Sequence, residues 1–345
     1  MTQMMEALRR FAEDCAQTHF QRLPHEIIIE RAVDFVEKTE VQPRVFRIKN
    51  LHSNLLFVVK FYPSERFDIT MIEHLAAAGG MLGQLKLQKS VINLPFAISQ
   101  CIEGQTMYYL IAFPAAEGHS LWFYLENGDA DILHVAMQKM ALSLAELHLK
   151  ALNVAGEISS TYALQEEHAL RFFQKMMKNS PEVLPLDVAT ITKRFHQLRI
   201  EMLAFPSPTG WIHGDAMIHH FFYAIETDKM TLIDFDRFIF AILTDKKMGG
   251  PIAYDYAFVI NSLWQLGIYA GIDQKVLQRL EKDFTGTYQA HMGNFFPSEQ
   301  SIRYYSFIYC LKKACLTSKR LAHFSHENST FIKLNHMLQH LVNKL

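Results

Sequence analysis

The three-and-four spacing of apolar positions predicts helices over residues 2–20 and 24–38. Between Val41 and Lys49 the period shortens to two. Phe46 and Ile48 fall on one face and Arg47 and Lys49 on the other, as in a half-buried strand. His52-Ser53-Asn54 supplies a polar turn and Leu55–Phe61 (LLFVVKF) a second β-rich run, so the pair reads as a hairpin with Lys60 near its end. From Asp68 onward, Ile69, Ile72, Leu75 and Ala76 mark an amphipathic helix that carries Glu73. Pro95–Gln100 and Thr106–Phe113, around Glu103-Gly104-Gln105, read as another hairpin. These runs give four strands, and the sheet is expected to hold five with one crossing helix.

After Gly118 the period is helical. Residues 131–152 form a long predicted helix with Leu133, Ala136, Met140, Leu144 and Leu147 on its apolar side. Two short β-like runs, Phe221–Ile225 and Met230–Phe235, flank a turn at Glu226-Thr227-Asp228. The expected class is α+β: residues 1–115 an N-terminal lobe with an antiparallel sheet, residues 116–345 a mostly helical lobe. Neither an internal repeat nor a low-complexity tract is visible. Gly79-Gly80 and Gly249-Gly250 belong to no GxGxxG or Walker A pattern and read as turns or helix ends.

Half the residues are hydrophobic and a fifth are charged, the profile of a globular chain. The 34 basic and 35 acidic residues nearly cancel, so no overall field gathers nucleic acid. Four scattered cysteines without CxxC spacing give no disulfide framework or thiolate metal site, and a reducing cytoplasm is expected. The start, MTQMMEALRRFAEDC, mixes acids and bases, unlike a signal peptide. Tyr256–Ile272 is strongly apolar but short and holds Asn261 and Gln265, so it reads as a buried helix rather than a membrane span. Nothing in the chain specifies an oligomeric state.

The chemistry concentrates in WIHGDAMIHHFFY and LIDFD, which set Asp215 before the β-hairpin and Asp234 after it. Phosphoryl transfer uses such a pair, one carboxylate to position the attacking hydroxyl and take its proton, the other to hold a metal ion against the phosphates. These segments resemble the aminoglycoside phosphotransferase and choline kinase family, whose catalytic segment reads HGDxHxxN and precedes a hairpin ending in IDF or IDW. The resemblance rests on His213-Gly214-Asp215 and Ile233-Asp234-Phe235. It implies a bilobal protein-kinase-like fold and an ATP- or GTP-dependent kinase acting on a hydroxyl of a small molecule. Asp215 and His213 take the catalytic places and Asp234 a Mg²⁺ ligand's place. Lys60 is implied as the phosphate-binding lysine, paired with Glu73. The segment YYLIAFPAAEGHSL resembles the family's hinge, with Phe113 as gatekeeper and with the Pro114 carbonyl and Ala116 amide directed at adenine. LAELH (residues 144–148) resembles the helix before the catalytic loop, and PIAYDYA resembles the family's GDPxxDLA segment, with Asp255 in a bracing role.

Two departures from that pattern bear on metal and phosphate. The family's metal-binding asparagine falls at residue 220, where this chain has His220; imidazole suits manganese, zinc or iron better than Mg²⁺. The turn Asn50-Leu51-His52-Ser53-Asn54, where a phosphate-covering loop is expected, lacks glycine, leaving Lys49 and Ser53 to compensate. The alternative expectation is a pseudokinase that binds nucleotide with weak or no turnover. IDFDRF also resembles lipopolysaccharide core kinases. Glu157, Glu166 and Glu167 would attract a cationic acceptor or form a solvated helix face, and Asp236 and Arg237 lie beside the expected chemistry with opposite signs.

Overall fold

In a computed structural model of the protein, the described residues are 3–31, 44–64, 87, 90–150, 160–179, 184, 186–234, 250–321 and 328–345. They fall into two compact units, one within Met1–Lys86 and Ile92–Glu117, the other within Leu87–Val91 and Gly118–Leu345.

The first unit is a five-stranded antiparallel sheet with a helix on one face. α1 (Gln3–Phe20) turns Met4, Leu8, Ala12, Cys15 and Ala16 inward, a stripe three and four residues apart. The strands are β1 (Ile27–Arg31), β2 (Arg44–Asn50), β3 (Leu55–Pro63), β5 (Ala97–Glu103) and β6 (Thr106–Pro114), in the order β1-β2-β3-β6-β5. The α1 stripe packs on Phe46 and Ile48 of β2, on Phe57, Val59 and Phe61 of β3, and on Leu110 and Ala112 of β6. Because strand side chains alternate, Lys60 stands on the opposite face, where its ammonium lies 5.2 Å from the centre of the Phe113 ring.

One expected helix is a strand instead. Residues 24–26 form a short 3₁₀ turn, and Ile27, Ile28 and Ile29 then pair with Asn50, Lys49 and Ile48. Three consecutive β-branched side chains lose rotamer freedom in a helix and fit a pleated edge, with Ile27 and Ile29 against the core and Ile28 outward. Residues 32–38, and the helix expected around Glu73, lie outside the described residues.

The second unit is mostly helical: α2 (Leu121–Asn127), α3 (Ala130–Leu149), α4 (Ser160–Asn179), α5 (Val188–Ala204), α6 (Ile252–Ala270), α7 (Gln274–Met292), α8 (Glu299–Leu321) and α9 (Ser329–Asn343). A small sheet runs β4 (Ser90–Ile92), β10 (Lys229–Leu232), β9 (Phe221–Ala224), β7 (His119–Ser120), and β8 (Thr209–Gly210) pairs with β11 (Gly250–Pro251). α6 is apolar and buried nearly all round, packed by α7, α8 and α9. Among the described residues, no helix is long and apolar enough to cross a membrane.

Candidate active site

The loop from Trp211 to Met217 leaves β8 and enters the β9–β10 hairpin, so Asp215 and Asp234 stand at its two ends. Gly214 takes φ 81°, a left-handed conformation open to glycine at little cost. The Asp215 carbonyl accepts from the Met217 amide at 2.7 Å, and the Ile218 amide donates to Ser262 Oγ of α6 at 3.1 Å.

Beneath the loop lies a buried polar relay. Asp255, in the first turn of α6 and fully buried, accepts the His213 amide at 2.5 Å on Oδ2 and the Gly214 amide at 2.9 Å on Oδ1. His148, at the end of α3 and also fully buried, faces Asp255 Oδ2 with Nε2 at 3.2 Å and the Tyr288 hydroxyl of α7 with Nδ1 at 2.6 Å. A carboxylate only accepts, so Nε2 carries the hydrogen and Tyr288 donates to Nδ1. Burial, reinforced by the Asp255 charge, pushes the Tyr288 hydroxyl well above its ordinary value of 10, which keeps it a donor. Three helices thus hold the backbone of two loop residues through one carboxylate.

Two histidines tie the acids together. His213 Nε2 donates to the Ile233 carbonyl at 2.7 Å, and its Nδ1 accepts the Asp215 amide at 3.3 Å. His220, stacked on His213 with ring centres 5.8 Å apart, donates from Nδ1 to the Asp215 carbonyl at 2.8 Å. That bond turns its Nε2 toward Asp234 Oδ2, 3.4 Å away. Asp234 is held at φ 64°, an uncommon conformation that aspartate tolerates better than most residues and that strained functional positions use. Loss of water around the ring, then His220 and Lys313, push His219 well below the usual imidazole value, with Asp215 opposing.

These residues fit a divalent ion. Two donors each about 2.1 Å from one metal stand about 3.0 Å apart at a right angle and about 3.4 Å apart at a tetrahedral one. The separation of His220 Nε2 and Asp234 Oδ2 lies in that range. One nitrogen and one oxygen favour manganese or zinc over magnesium more than two oxygens would. Among the described residues, no group of three or more His, Cys, Asp or Glu side chains is arranged around one metal position. Two protein ligands are what an ion completed by phosphate oxygens needs.

In the first unit, Lys60 occupies the middle of β3, paired with Val45 and Ile111 across the sheet. The Pro114 carbonyl, at the end of β6, accepts from Asn93 Nδ2 at 2.8 Å, and Ala116 follows two residues later. The glycine-free turn is closed on itself. Buried Asn50 accepts the His52 and Asn54 amides on Oδ1, both at 3.0 Å, while the Asn50 carbonyl accepts the Ser53 amide at 2.9 Å. Ser53 takes the left-handed place at φ 62° that glycine usually fills. Lys49 pairs with Glu30 at 2.7 Å. The expected compensation by Lys49 and Ser53 is therefore replaced by an asparagine-centred turn that consumes its own amides. Glu73, Glu157, Asp236 and Arg237, and the side chains of Glu166 and Glu167, lie outside the described residues.

Comparison with known proteins decides the lineage. Residues 39–290 match the model of the phosphotransferase enzyme family. The chain belongs to that family. No curated protein sequence matches it significantly. Solved structures share its fold at low identity. A choline kinase from Cryptosporidium parvum Iowa II aligns with a TM-score of 0.57 and 10% identity, over 99% of this chain and 95% of the other. An aminoglycoside phosphotransferase from Streptomyces rimosus, in complex with ADP and streptomycin, gives 0.53 and 13%, over 88% and 98%. An ethanolamine kinase from Plasmodium vivax gives 0.52 and 12%, over 97% and 88%. This protein is thus a phosphotransferase-family chain with the α+β fold of those kinases.

Sequence reasoning missed several members of the site. His148 was visible only as the last residue of LAELH, and Tyr288 sits 140 residues away in chain order. Lys313 of α8 brings its ammonium to 3.1 Å from Met217 Sδ, two residues past Asp215. No local motif signals either contact, because both are made by helix packing.

Proposed function

We propose that this family member transfers the γ-phosphoryl group of ATP, or GTP, to a hydroxyl of a small molecule. The observation that carries the reading is the His220 bridge, which fixes the backbone of Asp215 at one ring nitrogen and the carboxylate of Asp234 at the other. In the proposed step Asp215 takes the acceptor proton as the acceptor oxygen bonds to the γ-phosphorus. The bond from that phosphorus to the β-phosphate's bridging oxygen breaks, and the nucleoside diphosphate leaves with the electron pair. His213 is assigned to positioning Asp215 through its Nδ1. Asp234 and His220 would hold Mg²⁺ or, with their mixed donors, Mn²⁺, which neutralises phosphate charge when bound.

Residues 1–115 supply the proposed N-terminal lobe, with Lys60 assigned to the phosphates and Glu73 to its support. Pro114 and Ala116 are assigned to adenine, Pro114 through its carbonyl's second lone pair. Residues 116–345 supply the proposed catalytic lobe, where Asp255 acts as a structural brace. Four free cysteines suit a reducing cytoplasm, and burial pushes the Cys15, Cys310 and Cys315 thiols up to about 12.

The test is ADP release over a panel of small alcohols with ATP and either Mg²⁺ or Mn²⁺. At least one acceptor is expected to stimulate release in the wild type, and Asp234→Asn to abolish it. Acceptor-independent traces equal in both proteins would overturn the reading. A second reading, a nucleotide-binding module with little turnover, is favoured by the self-satisfied Asn50 turn, which withholds amides from phosphate. It predicts nucleotide binding indifferent to added Mg²⁺ or Mn²⁺, whereas the kinase reading predicts tighter binding with metal.

A further inference from the structure

One face of α8 carries a polar stripe at helical spacing: Ser306, Tyr309, Cys310 and Lys313. Ser306 Oγ and Cys310 Sγ meet Asn261 of α6, at 2.9 and 3.7 Å, and the buried Tyr309 hydroxyl donates to Gln265 Oε1. Lys313, the last of the four, reaches the loop that carries Asp215. Its ammonium lies 3.1 Å from Met217 Sδ and 5.5 Å from the centre of the Tyr309 ring. The Tyr309 ring and the Met217 sulfur stand beside the ammonium and set where the charge sits.

The C-terminal stretch of the sequence is rich in charge of the same sign. Residues 301–345 hold seven cations, Arg303, Lys312, Lys313, Lys319, Arg320, Lys333 and Lys344, and one acid, Glu327, although the whole protein carries a net charge of only −1. A half-buried ammonium beside the reacting loop favours an anion and disfavours a cation there, and loss of water around it strengthens both effects.

We infer that Lys313 sets the charge of the acceptor: the molecule phosphorylated carries a carboxylate or phosphate close to its reacting hydroxyl, and Lys313 is the counter-charge. The inference rests on the phosphotransferase reading and narrows it to acceptors of the opposite sign to an amino alcohol. Asp215 handles the hydroxyl proton, and Lys313 fixes which hydroxyl compounds stay long enough to lose it.

Three matched polyols isolate the charge: gluconate, sorbitol and glucamine, titrated by saturation-transfer NMR against the ADP-bound protein. Gluconate is expected to bind wild type on the order of tenfold more tightly than glucamine, the scale of one partly screened charge pair. Lys313→Glu is expected to reverse that order. Lys313→Met, which keeps an unbranched side chain without the charge, is expected to bring all three within about threefold of one another. Glucamine binding as tightly as gluconate in the wild type, an unchanged order in Lys313→Glu, or saturation by none of the three overturns the inference. Phosphoryl transfer to a cationic alcohol that is insensitive to Lys313 would also overturn it while leaving the kinase reading intact. Charge-selective polyol binding in a protein that binds no nucleotide would sink the kinase reading and leave the role of Lys313 standing.

Discussion

At the scale of single residues, Asp255 holds the most with the least. Its two oxygens satisfy two loop amides and one imidazole. Removing the carboxylate leaves those donors buried and unmatched, and Asp255→Ala is expected to lower unfolding free energy by about 3–5 kcal/mol in urea titrations. Tyr288→Phe deletes only the outer hydroxyl bond and is expected to cost about 1 kcal/mol. Equal losses for the two would show that the relay is not centred on Asp255. The sequence displayed Asp215, Asp234 and Asp255 because each sits in a short run of recognisable neighbours. Lys313 and Tyr288 stayed hidden because their roles arise from α7 and α8 packing far from the loop in chain order.

At the scale of elements, the sheet and the long helices were legible because apolar period and turn residues agree along β2, β3, β5, β6, α3 and α6. β1 was not, since a run of isoleucines satisfies either period and only its pairing with β2 decides. The joint between α2 and the hairpin gives a direct test of close packing. A Cβ on Gly118, at φ 75°, would lie 2.1 Å from the Tyr223 carbonyl oxygen, whereas one on Gly128, at φ 72°, meets nothing within 4 Å. Gly128→Ala is expected to cost about 1–2 kcal/mol for its backbone conformation alone. Gly118→Ala should cost clearly more, as read by thermal unfolding.

The docking of α9 also has a pH signature. His340 stacks on Trp264 with ring centres 5.8 Å apart, and its Nε2 is buried with no hydrogen-bond partner among the described residues. Burial, with Lys344 adding, pushes its pKa down to about 4. Between pH 6.5 and about 4 the unfolded chain therefore binds a proton that the folded chain does not, so stability falls as pH falls through that window. Urea midpoints are expected to drop less from pH 7 to pH 5 in His340→Phe than in the wild type. Parallel drops would remove His340 from the account.

For the whole molecule, the family and the α+β fold follow from a match across residues 39–290 and from kinase structures that share the fold at 10–13% identity. Such distance explains why particular side chains differ while the architecture persists. The sheet and the hairpin are fixed by packing that many sequences satisfy. The most direct test of the account compares Asp215→Asn with the wild type in one preparation, measuring ATP affinity and acceptor-dependent ADP release together. The predicted result is unchanged ATP affinity with turnover reduced by about 10²–10⁴-fold. Undiminished turnover in Asp215→Asn would contradict it.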